Sequence, residues 1–289
     1  MKPRIKIPKV EFYITNVCNL TCDHCNRFNN LNFKGWQAWD DYAEIYSAWA
    51  ELIDIEHIVI LGGEPLLNPT IIDWIRGLSK IWPGYHQILT NGTRLNNVKG
   101  LYDAICQNKT WMGISIHNVD EIETLFNEVE KFLKSPITKS TGKEGNKYGA
   151  DFSFKDKNNV EIPMWIQNEF TKSALIHQPD GKLTLHSSDP GTAHDHCAIA
   201  KAKSYHLIRG KLYKCGPVAL FPELDSQFGL DLTQEDRDLI HQYQPLTIDN
   251  FDEYHSDFFK NLDNPIPQCK FCPGKNDFSK IFPLIKIKA

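Results

Sequence analysis

The sequence has no apolar run long enough to cross a membrane, and no apolar segment follows its opening residues, MKPRIKIPKV, as secretion would require. The expected location is therefore the cytoplasm. There is no positive excess either: 32 Lys and Arg stand against 36 Asp and Glu, a net charge of −4, which excludes a general electrostatic field for nucleic acid. No stretch repeats at a fixed period, so solenoids and propellers are excluded. Without an export context, the eight cysteines are not expected to form disulfides. Clustered thiols in a reducing compartment point instead to metal or redox chemistry. With 289 residues, 41% hydrophobic and 24% charged, the chain can bury the core of one large α/β domain or of a barrel with an appendage.

The first half alternates strand-like and helix-like stretches. KVEFYIT (9–15), HIVILGG (57–63), HQILTNG (86–92) and WMGISIH (111–117) read as buried strands. Between and after them, 38–53, 68–82 and 119–135 carry apolar residues at helical spacing, and NVKGLYDAICQN reads as a shorter helix. Asn68 is the expected N-cap of the second helix, with Pro69 at its first position. Four βα units in succession predict a parallel sheet or barrel with helices outside. The Lys- and Gly-rich stretch 137–150 reads as a loop or lid, and FSFKDKNNVEIPMWIQ as a hairpin turning near Lys157–Asn159. KLTLHSS (182–188) is a further strand. From about residue 190 the βα rhythm stops: YHLIRGKLYKCG (205–216) reads as a hairpin turning at Arg209–Gly210, followed by polar helices over 233–243 and 248–262.

Cys18, Cys22 and Cys25 fall within NVCNLTCDHCN, directly after the first strand. They could form one stripe of a helix, but Asn16, Asn19, Thr21, Asp23 and Asn26 favour turns, and no apolar residues continue the stripe. Three thiols are one short of a closed tetrahedral zinc or a saturated iron–sulfur cubane. Either a fourth ligand comes from elsewhere or one position is open. Cys106, in DAICQNK, reads as a small apolar residue on a helix face.

The C-x3-C-x2-C spacing after a first strand resembles the motif of radical S-adenosylmethionine (SAM) enzymes. His24 stands where that superfamily usually has an aromatic residue. The resemblance continues in Gly62-Gly63-Glu64-Pro65 at the end of the second strand, Thr90-Asn91-Gly92 at the end of the third, and Ser115 on the fourth. It implies a partial (β/α)6 barrel over 1–190. It also implies a [4Fe-4S] cluster on Cys18, Cys22 and Cys25, with SAM on the open iron. Gly62, Gly63, Glu64, Thr90, Asn91, Ser115 and His24 would then bind the cofactor, with Glu64 accepting from the SAM amino group. The implied activity is cleavage of SAM to a 5′-deoxyadenosyl radical that takes a hydrogen from substrate, fed by a donor such as flavodoxin or ferredoxin.

Cys197, Cys215, Cys269 and Cys272 form a second set, C-x12-G-x4-C and then C-x2-C. This resembles the SPASM/twitch extensions of the same superfamily and implies a twitch-like unit over 191–289 with one auxiliary [4Fe-4S] cluster. Zinc takes four thiolates equally well. Lys214, Lys270 and nearby prolines read as a surface loop, and His194 and His196 as substitute ligands or polar surface. For substrate, His117, Glu169 and His186 are the candidates among polar residues near later strand ends. Only residues 1–8 precede the first strand, leaving no peptide-recognition or B12-binding domain, so the expected substrate is compact: a nucleoside or nucleotide, a sugar or an amino-acid derivative. A peptide- or protein-modifying maturase, with the lysines of 137–150 as a docking element, is the alternative. A zinc-binding interaction module without catalysis is the distant one.

Overall fold

In the computed structural model, residues 4–133, 137–142, 149–166, 170–171, 173–274 and 278–279 are described. The strands are β1 (Ile5–Tyr13), β2 (Ile53–Leu61), β3 (Tyr85–Thr90), β4 (Trp111–Ile116), β5 (Ile137–Thr141), β6 (Phe152–Asp156), β7 (Glu161–Ile166), β8 (Phe170–Thr171), β9 (Leu175–His177), β10 (Leu183–Leu185), β11 (Ser204–Ile208), β12 (Lys211–Tyr213) and β13 (Phe278–Ser279). One nine-stranded sheet runs β12-β11-β1-β2-β3-β4-β7-β6-β5. Its six inner strands, β11 to β7, are parallel, and antiparallel partners cap both sides. The fold is thus α/β with a mostly parallel sheet, open among the described residues, since β12 and β5 do not pair.

Helices α1 (Ala43–Leu52), α2 (Ile71–Ile81), α3 (Leu101–Gln107) and α4 (Ile122–Leu133) follow the first four strands. Their apolar stripes meet alternate strand residues: Phe12, Ile58, Ile60, Ile88 and Ile114 pack with Trp49, Trp74 and Trp82 in one core. Each such large side chain contributes roughly 1.5–3 kcal/mol when removed from water. Cys106 packs against this core, as its helix position predicts. The opposite residues, Tyr13, Val59 and Leu61, belong to a second core with Phe28, Phe221, Leu224 and Phe271. Of the later helices, α5 (Pro190–Asp195), α6 (Ala198–Lys201), α7 (Gly216–Phe228), α8 (Gln234–His241) and α9 (Phe251–Lys260), α7 and α8 supply that core, whereas α9 packs on the first through Phe251, Phe258 and Phe259.

Three local expectations are corrected. Helix α2 starts at Ile71 with Thr70 before it; the Asn68 carboxamide instead accepts from the Thr70 N–H at 2.8 Å and donates to the Ile14 and Gln37 carbonyls, tying the loop to β1. The start of 137–150 is a strand, β5, because its backbone has the edge of β6 to pair with, whatever its polarity. Lys214 is not on an exposed loop: it is 8% exposed, and its ammonium donates to the Asn261 and Asn264 carbonyls. The hairpin at Arg209–Gly210 is present, with both residues at positive φ, 50° and 74°, as a two-residue turn between twisted strands demands. It carries β11 and β12 from the C-terminal third into the same sheet, beside β1.

Candidate functional site

After β1 the chain leaves the sheet in a loop that returns to pair Thr15 with Trp36. Left-handed backbone at His24 and Phe28, φ 58° and 60°, folds it back over the carboxyl ends of β1, β2 and β3. Cys18, Cys22, His24 and Cys25 line one wall of a cavity of about 340 Å³. Gly62 and Gly63 after β2, Thr90 and Asn91 after β3, and Ser115 and His117 of β4 and its end line it too. Ligand sites of parallel α/β folds form at these strand ends.

The glycines are there because the loop lies on them. A Cβ on Gly62 would stand 2.6 Å from the Thr15 carbonyl oxygen, and one on Gly63 2.4 Å from that of Val17. The Gly63 N–H donates to Thr15 O and the Glu64 N–H to Val17 O, each at 2.8 Å. Burial, and then the neighbouring Cys25 and Cys18, push the Cys22 thiol up to about 12. A thiol that resists ionisation on its own, crowded by two others, is suited to an occupant that brings positive charge.

Glu64 does not line the cavity. It is fully buried, and its carboxylate accepts from the Leu66 N–H at 3.0 Å, the Thr90 hydroxyl at 2.6 Å and the Asn91 N–H at 2.8 Å. Burial pushes its carboxyl up, opposed by these donors. Turning it towards the cavity would orphan all three, at roughly 1–3 kcal/mol each. Among the substrate candidates, His117 lines the cavity, and burial lowers its imidazole to about 4. His186 does not line it; it follows β10, its N–H donating to Ala174 O at 3.3 Å. Glu169 lies outside the described residues.

Sequence reasoning missed a charged group beneath the loop. Glu11 on β1 is bonded by the Arg27 guanidinium, stands 2.9 Å from His206 Nε2 on β11, and accepts from the Ser204 hydroxyl at 2.9 Å. Burial opposes its ionisation, yet His206 and Arg27 hold its carboxyl well below the usual range. Burial in turn lowers His206. Arg27 also lines the cavity, and its Nε is buried without a hydrogen-bond partner. A glutamate inside VEFY and a histidine inside YHLI were the available signal.

The second cysteine set also converges. Cys197 precedes α6, Cys215 precedes α7, and Cys269 and Cys272 flank a short turn; all four line one void of about 30 Å³. His194 lines this void too, whereas His196 does not, its Nδ1 lying 2.8 Å from Thr192 O. Burial pushes the Cys215 thiol up to about 12 and raises Cys269 and Cys272. Among the described residues, no three His, Cys, Asp or Glu side chains are gathered as around a single metal ion.

Residues 12–145 match the model of the Radical SAM superfamily, a stretch that holds the cysteine loop, the glycine pair and the ends of β3 and β4. No curated protein matches the chain. Similar solved structures include native anSMEcpe with bound AdoMet and Cp18Cys peptide, at 16% identity and TM-score 0.33, over 45% of this chain and 40% of that one. SuiB of Streptococcus suis bound to S-adenosylmethionine is another, at 13% identity and TM-score 0.43, over 78% of this chain and 62% of that one. The chain therefore matches less than two thirds of either.

Proposed function

We propose that the chain is a radical SAM enzyme that reductively cleaves S-adenosylmethionine and abstracts a hydrogen from a compact substrate. One observation carries this: Cys18, Cys22 and Cys25 line a single cavity at the strand ends together with Gly62 and Gly63. The three thiolates would hold a [4Fe-4S] cluster, and the open backbone of the glycines, with Thr90, Asn91, Ser115 and His24, would hold SAM. When bound, the cluster, reduced by an external donor, would supply one electron to the SAM sulfonium, the chemistry that breaks its C–S bond into methionine and a 5′-deoxyadenosyl radical. The chain's own residues shape the wall, exclude water and orient the cofactor. Cys197, Cys215, Cys269 and Cys272 would hold an auxiliary [4Fe-4S] cluster in a twitch-like extension over 191–289, and the parallel strands of 1–190, joined by β11, would form the partial (β/α)6 barrel.

A planar heterocycle, as in a nucleoside, is the compact substrate best supported. On the sheet face that carries Ser115, Trp165 is its register partner on β7, and Trp111 pairs with Gln87. The Trp111 and Trp165 rings stand 5.7 Å apart over Gly113, where a Cβ would meet both indoles, at 2.9 and 3.3 Å. Trp165, beside Ser115, offers a flat indole for stacking near the cavity, whereas Trp111 lines a separate cavity at the amino end of β4.

The test is iron, acid-labile sulfide and zinc per chain after anaerobic reconstitution, followed by 5′-deoxyadenosine formation from SAM under a reductant. The expected result is about eight irons with matching sulfide. About four irons and one zinc would reduce the C-terminal set to a structural site. No 5′-deoxyadenosine from a fully loaded protein would overturn the activity.

A further inference from the structure

The GGEP segment is bonded on both sides, and its glutamate is the part that faces away from the cavity. Backbone bonds fix the end of β2 to the cysteine loop, Gly63 N–H to Thr15 O and Glu64 N–H to Val17 O. The Glu64 side chain then reaches to β3, where the Thr90 hydroxyl and the Asn91 N–H donate to separate carboxylate oxygens. From β3 the connection returns to the cysteine loop: the Asn91 carboxamide donates to Asn19 Oδ1 at 3.0 Å, and the Asn19 carboxamide to the Thr93 hydroxyl at 2.8 Å. Asn19 lies between Cys18 and Cys22. The bonds therefore form a closed circuit, loop to β2 to β3 to loop, and each segment in it also lines the cavity.

We propose that Glu64 is a positioning residue: its carboxylate closes this circuit and so sets the distance between the cysteine loop and the strand ends, leaving the backbone of Gly62 and Gly63 as the cofactor wall. A direct contact to the SAM amino group is thereby assigned away from this side chain. The ligand half of this inference rests on the SAM reading given above; the circuit does not.

Two measurements on the reconstituted protein separate these. Hydrogen exchange without SAM compares wild type with Glu64→Gln and with Thr90→Val, which keeps the volume and removes the hydroxyl that donates to Glu64 and accepts from the Gly92 N–H. Exchange should accelerate about tenfold or more in peptides covering 14–22 and 88–94, and stay unchanged in β2 around 55–59. Unchanged exchange at 14–22 and 88–94 overturns the circuit, whether or not SAM binds. The second measurement is the dissociation constant of SAM and of its analogue lacking the α-amino group. Glu64→Gln should weaken both by the same factor, about tenfold, and Thr90→Val should show the same parallel loss. A penalty confined to SAM, with the analogue unaffected, overturns the assignment and makes Glu64 the amine's acceptor. If wild type binds neither compound, the function proposed above fails, while the exchange result still decides the circuit.

Discussion

Of the two glycines at the site, Gly63 has the less room. The atom its Cβ would strike, Val17 O at 2.4 Å, is backbone and cannot swing aside. Gly63→Ala should lift the cysteine loop, cost about 1–3 kcal/mol in urea unfolding and lower iron incorporation after reconstitution. Cys22→Ala leaves two thiolates and should abolish 5′-deoxyadenosine formation, a product assay that would refute the cluster assignment if it stayed normal. His117 makes a pH prediction. Its folded value of about 4 lies below the ordinary 6.5, so the unfolded chain takes up the proton first as pH falls. Stability is full above the unfolded value and declines towards the folded one, by about 3 kcal/mol. His117→Gln should flatten that decline, read from urea midpoints at about pH 7.5 and about pH 4.5. At this scale the sequence disclosed the residues whose spacing is local: the three cysteines and the glycine pair. It did not disclose what Glu64 does, because its three donors lie on another strand end and on its own following turn. Arg27 was hidden for the same reason, its partners being 16 and 179 residues away along the chain.

Among the elements, the join between β1 and β11 carries the largest buried charge group. Glu11→Ala would leave the Arg27 guanidinium without its carboxylate in a desolvated place, and should cost about 3–5 kcal/mol in chemical unfolding. With the Glu11 carboxyl held below its ordinary value, its contribution is present above the usual carboxylate range and is lost as pH falls through the folded value. Strands and helices with strong periodicity were legible to within a few residues, among them β2, β3, β4 and the β6–β7 and β11–β12 hairpins. Helix α7 was not, since Pro222 sits inside it and its apolar residues, Leu220, Phe221 and Leu224, serve a core that only exists once the sheet is assembled. Strand β5 escaped because ITKST is polar at alternate and successive positions alike, and its pairing is a matter of backbone.

Over the whole molecule, the two cysteine sets attach to one sheet: the first follows β1, and Cys215 follows the β11–β12 hairpin that extends the sheet past β1. Cys215→Ala should still remove iron only from the second site, about four of about eight, because the first set's thiols line a different cavity. Loss of all iron would mean the sites do not load separately. The parallel pairing of Lys9 with Ser204 has a further result for how the protein is made. Strand β1 emerges from the ribosome first, but its second edge stays bare until β11 has been synthesised, so assembly waits on a contact of very high sequence separation. A fragment ending near residue 190 would present that open edge to other chains and should aggregate where the full chain does not, a difference that light scattering during refolding would reveal.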